Sequence, residues 1–94
     1  MIYNVFKVLG FNKEKSADLN LRVRLIDAII EVTKIHSYSQ KELQLILGQK
    51  QPEISYLLSG KISKFSSEKL LRFLSLLGAK VEIKTVLPKK KIAL

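Results

Sequence analysis

Twenty-two residues, Ser39 to Gly60, constrain this chain more than any other part of it: SQKELQLILG, then QK, then QPEISYLLSG. Ser39 is a good N-cap and Glu42 follows three residues later, so a helix opens there with a capping box. Leu43 and Leu47, four apart, give that helix a buried stripe. Gly48 ends it and supplies the left-handed backbone that a sharp turn needs. Pro52 lies in the first turn of a second helix, where its missing N–H costs nothing. Ile54 and Leu57 form the inward face of this second helix, and Gly60 stops it. Two short helices joined by a glycine turn make a helix-turn-helix, whose second helix can lie in the major groove of DNA.

The rest of the chain limits what this motif can serve. Ninety-four residues allow one domain with one modest core. Seventeen basic residues against eight acidic leave a formal charge of +9, which suits an anionic partner. There is no cysteine, which excludes a disulfide scaffold and a thiolate metal site. The opening MIYNVFKVLGF is too short and too interrupted for a membrane span or a signal peptide. A cytoplasmic protein is the expectation.

Residues 1–15 carry Ile2, Tyr3, Val5, Phe6, Val8, Leu9 and Phe11 and then a polar NKEK. They are expected to pack on the core, as a strand or as a short helix; periodicity does not choose. From Ser16 to about His36 the pattern is helical. Leu19, Val23, Ile26, Ile30 and Thr33 follow one stripe, and Leu25, Ile29 and Val32 a neighbouring one. So wide an apolar face calls for burial on two sides, against the N-terminal segment or another subunit. His36, the single histidine, has no metal-ligand spacing around it. Asp27 and Glu31, four apart, read as a solvated face. Nothing assembles a nucleophile, a base and an orienting group, so no enzyme is expected, and no metal or cofactor.

After Gly60, Lys61 to Lys64 form a short basic connection and Phe65 a core plug. Ser66 caps a final helix with Glu68 in its first turn, and Leu70, Phe73, Leu74 and Leu77 form its stripe up to Gly78. Then Val81, Ile83 and Val86 alternate with Lys80, Glu82 and Lys84, the period-two pattern of a strand, which needs a partner because a lone strand is unstable. The tail PKKKIAL reads as disordered, solvated or touching phosphate. The division is thus residues 1–15, an N-terminal segment; 16–78, the helix-turn-helix domain; 79–87, a strand; and 88–94, a basic tail. The fold class is mainly α: a small helical bundle with a helix-turn-helix and a short C-terminal β-strand.

SQKELQLILG, QPEISYLLSGK and FSSEKLLRFLSLLGAKVEI, together with the upstream NVFKVLGF and LNLRVRLIDAII, resemble the XRE-type helix-turn-helix proteins that serve as HigA-like antitoxins, over roughly residues 4 to 86. The combination Gln-Pro-x-Ile-Ser, Gly-Lys and Phe-Ser is more specific than a generic pair of helices. The resemblance implies a homodimer that binds double-stranded operator DNA at its own promoter and neutralises a cognate HigB-like toxin. Three features depart from the family pattern: Gln44 stands where alanine or glycine is usual at the helix crossing, Gln49 stands where an apolar residue commonly follows the turn glycine, and Leu45, Ile46 and Leu58 fall on faces that are usually polar.

With Ile54 and Leu57 inward, Gln51, Pro52, Ser55, Tyr56 and Ser59 face outward. Gln51 is the best base reader, because its amide donates and accepts at an adenine edge. Ser55 and Tyr56 reach base or phosphate. Gln40, at the amino end of the first helix, suits a phosphate, and Lys50, Lys61 and Lys64 are phosphate neutralisers. Two other readings stand beside the antitoxin: a stand-alone XRE-type repressor without a toxin, and a protein-interaction module that does not bind DNA. An adjacent gene for a small basic toxin separates the first two; failure to shift DNA on a gel favours the module.

Overall fold

Among the described residues, four helices and a 3-10 turn follow one another: α1, Lys13–Ile35; α2, Gln40–Leu47; α3, Gln51–Leu58; the 3-10 turn, Ile62–Lys64; and α4, Ser67–Leu76. The computed structural model describes residues 13–93, so the reading of the segment before them lies outside the described residues. α1 begins at Lys13, three residues before Ser16, where the helical pattern opens in the sequence.

The core draws one face from each helix. Leu25, Ile26 and Ile29 of α1 meet Leu43 and Leu47 of α2, Ile54 and Leu57 of α3, and Leu70, Phe73 and Leu74 of α4, with Phe65 completing the cluster. The Phe65 and Phe73 rings meet edge to face at 6.0 Å and 70°, a favourable aromatic geometry. Of the two stripes expected on α1, neither is buried whole. Adjacent Leu25 and Ile26 both point inward, whereas Val23 is exposed. Thr33 is buried as well, and its hydroxyl donates to the Ile29 carbonyl at 2.8 Å, so no buried polar group is left unpaired there.

The caps form as their residues dictate. The Ser39 N–H donates to Glu42 Oε1 at 2.9 Å, and the Glu42 N–H donates to Ser39 Oγ at 3.1 Å, a complete capping box. Gly48 has φ 64 and ψ 36, and the Gly48 and Gln49 N–H groups both donate to the Gln44 carbonyl. Ser66 Oγ accepts from the Lys69 N–H at 3.1 Å to open α4. The chain leaves α1 differently: Ser37 sits at φ 53, the left-handed region, while the Tyr38 N–H donates to the Thr33 carbonyl at 3.1 Å. That is a helix stop usually made with glycine.

The C-terminal strand is not present. No strand occurs among the described residues, and residues 79–87 run without a ladder partner, which a strand requires. The alternating side chains divide instead. Val81 and Ile83 both line an open groove of about 320 Å³ with Leu21, Arg24, Leu25 and Ala28 of α1, Val81 more deeply, whereas Val86 is 81% exposed. Gln44 is half-buried.

Two predictions follow from these helix ends. Ser37→Gly relieves the left-handed strain and should raise stability by up to about 1 kcal/mol, less the added unfolded-state entropy, read as a denaturant midpoint. At α2, the Ser39 backbone N–H, and then its side chain, hold the Glu42 carboxyl below its ordinary range. A carboxyl lowered in the folded state stabilises above its unfolded pKa and loses that contribution as pH falls through the folded value. Between about pH 5 and about pH 3, Glu42→Gln should therefore lose less thermal stability than the parent chain.

Candidate nucleic-acid interface

Burial of Ile54 and Leu57 turns the opposite side of α3 to solvent. At 100° per residue, Pro52 and Ser59 point directly away from the core, with Ser55 and Tyr56 on either flank and Gln51 at the margin. Gln51, Pro52, Ser55 and Ser59 are exposed, as are Gln40, Lys50, Lys61 and Lys64. Tyr56 is only half-buried, packed partly against the core. Ser59 Oγ donates to the Tyr56 carbonyl at 3.1 Å, so this hydroxyl already has an intrahelical acceptor.

The turn at Gly48 brings the amino ends of α2 and α3 together, and two of the expected site residues meet there. Gln51 Nε2 donates to Gln40 Oε1 over a long 3.4 Å. This contact leaves Gln51 one N–H and its amide oxygen free, the donor and acceptor that an adenine edge requires. It also leaves the Gln40 amide donors free for an acceptor such as phosphate. Of the first-turn N–H groups of α2, those of Glu42 and Leu43 are already taken by Ser39.

The second group lies at the carboxyl end of α3. Lys61 Nζ and Lys64 Nζ stand over the Tyr56 ring, 5.5 and 5.1 Å from its centroid. The Lys61 N–H donates to the Tyr56 carbonyl at 3.0 Å, and the Lys64 N–H to the Lys61 carbonyl at 3.1 Å, so the backbone of this basic connection is held at both ends. Tyr56 is therefore the platform for two cations, a role its spacing alone did not disclose. Lys50 precedes α3 as its N-cap and makes no side-chain cap bond.

Of the three apolar residues on usually polar faces, only Leu45 stands free, at 78% exposed. Ile46 and Leu58 are half-buried against the core, and so belong to the packing. Gln49 Nε2 donates to the Leu47 carbonyl at 3.3 Å, which accounts for a polar residue after the turn glycine. Sequence reading missed Arg22: it reaches from α1 to the Ile62 carbonyl, 40 residues away, at 3.1 Å. Its position on a helical stripe gave no signal of that contact.

Two short helices crossing at a glycine turn, with a polar outward face on the second and cations beside it, define a helix-turn-helix. A family described as a helix-turn-helix domain matches residues 7–85, and the chain belongs to it. An uncharacterized HTH-type transcriptional regulator of Haemophilus influenzae is 36% identical over 81 residues, 86% of this chain and 82% of that protein. A solved structure described as "Putative XRE Family Transcriptional Regulator" aligns with a TM-score of 0.71 and 29% identity, covering 82% of this chain and 88% of that one. The chain is a helix-turn-helix protein, similar in fold and sequence to an XRE-type one.

If α3 enters the groove, substitution tells a base contact at Gln51 from a phosphate contact at Lys61. Gln51→Ala should relax preference at one base pair by about 1–3 kcal/mol while leaving binding to other sequences nearly intact. Lys61→Ala should weaken binding to every duplex and reduce the slope of log K against log salt by about 1. Both are read by fluorescence anisotropy across a salt series.

Proposed function

We propose that the protein is a transcriptional regulator that recognises operator DNA through α3, a binding protein and not an enzyme. One observation carries this reading: the exposed face of α3 begins with a Gln51–Gln40 amide pair and ends with two lysines over Tyr56. Hydrogen-bonding groups able to read a base edge thus lie between groups able to hold phosphate. The +9 charge supports the non-specific part of the affinity. The relatives' description as transcriptional regulators supports the same reading.

A single helix-turn-helix reads few base pairs, so the operator is an inverted repeat bound by a homodimer, with half-sites about 34 Å apart. The exposed apolar side chains Val23, Ile83, Val86 and Leu87 are the surface available for a second copy. On the resemblance to HigA-like antitoxins, the regulator also represses its own promoter and neutralises a HigB-like toxin, and Leu45 gives that partner an apolar foothold. Such a contact is mainly apolar, because two basic proteins repel at long range.

Selection of bound duplexes from a random library tests the DNA reading. Recovery of an inverted repeat is expected, and absence of any enriched sequence would leave a protein-interaction module. Co-expression with the neighbouring gene tests the toxin reading separately. A neighbour that is harmless alone, or that does not co-purify at moderate salt, would leave a stand-alone repressor.

A further inference from the structure

Arg22 lies on α1, on neither recognition helix, yet its guanidinium joins three elements. Nη1 donates to the Ile62 carbonyl at 3.1 Å, inside the 3-10 turn. Nη2 pairs with Asp18 Oδ2 at 2.8 Å, and Ser67 Oγ, at the start of α4, donates to Asp18 Oδ1 at 2.8 Å. The Arg22 side chain is only 18% exposed. Its Nε is buried with no hydrogen-bond partner among the described residues, so the group retains a desolvation cost that the Nη contacts must offset.

The carbonyl it holds lies between Lys61 and Lys64, the two cations over Tyr56. Gathering two ammonium groups at one ring opposes their mutual repulsion, and the negative face of the ring offsets only part of that. A phosphate entering between them reverses the sign of the interaction and releases counterions. A turn free to shift would let the lysines separate; a turn anchored at Ile62 keeps them together.

We propose that Arg22 is a positioning residue for phosphate binding: by latching the Ile62 carbonyl, it presents Lys61 and Lys64 as a paired clamp for the DNA backbone. This rests on the DNA reading above. The phosphodiester touches the lysines, and Arg22 acts through the turn.

The test compares Arg22→Met, which keeps the apolar stem, Arg22→Lys, which keeps the charge but not the fork, and Arg24→Met, which removes the same charge from an exposed site on the same helix. Affinity for the duplex selected with the parent protein is measured across a salt series. Arg22→Met and Arg22→Lys should both reduce the salt slope by about 1–2, and Arg24→Met should change it less. Lys61→Ala should cost several-fold less in the Arg22→Met background than in the parent, since coupled residues are not additive. In the free protein, the ring-current shifts of the Lys61 and Lys64 side-chain methylenes over Tyr56 should collapse in both Arg22 variants.

An unchanged slope, or equal losses from Lys61→Ala in both backgrounds, would overturn the proposal. If Arg22→Met fails to fold, Asp18→Asn, at the more exposed partner, and Arg22→Lys carry the same readouts. Retained ring-current shifts in both would overturn it as well. A parent protein that binds no duplex would sink the DNA reading itself, whereas a binding parent with indifferent Arg22 variants would sink this inference alone.

Discussion

The orientation of α3 hangs on two side chains. Ile54 and Leu57 are both fully buried, one helical turn apart, among Leu43, Leu47 and the α1 and α4 residues of a single core. Their burial contributes about 1.5–3 kcal/mol each, far more than any exposed hydrogen bond on the same helix. Once they are seated, the direction of every other side chain on an eight-residue helix is set by 3.6 residues per turn. The outward face is thus a consequence of the inward one. The Gly48 turn then places the amino ends of α2 and α3 close enough for Gln40 and Gln51 to bond.

Local chemistry was the most legible part of the sequence. The capping box at Ser39 and Glu42, the left-handed turn at Gly48 and the cap at Ser66 are each specified within four or five residues and observed; of the expected stripe, Leu70, Phe73 and Leu74 are buried, while Leu77 is the half-buried C-cap beyond the helix. The wide apolar face of α1 was harder. A helix with apolar residues on most sides does not say which of them meets the core, and the structure buries Leu25 and Ile26 while leaving Val23 exposed. The alternation at Val81, Ile83 and Val86 has the period-two pattern and β-branched residues of a strand. A ladder also needs a partner, and none occurs among the described residues.

The site divides along the same line. That Pro52, Ser55 and Ser59 face outward, with Gln51 at the margin, follows from spacing alone. Contacts distant in sequence do not: the Gln40–Gln51 bond spans 11 positions and the Arg22–Ile62 bond spans 40. Tyr56 is the instructive case. Helix geometry placed it on the outward side, but it packs half-buried beneath Lys61 and Lys64, nearer to an electrostatic platform than to a base reader. Charge count suggested an anionic partner without locating it; the fold gathers two of the cations at the end of the helix that would enter the groove.

The central claim is that the polar outer face of α3 meets the duplex. The most direct measurement is a titration of isotope-labelled protein with a selected duplex, followed by side-chain and backbone nuclear magnetic resonance. The account predicts the largest shifts at the Gln40 and Gln51 side-chain amides and at the Ser55 and Ser59 backbone, with Val81 and Ile83 nearly still. Shifts concentrated on Leu45 and the residues 79–87, with the Gln51 amide unmoved, would contradict it.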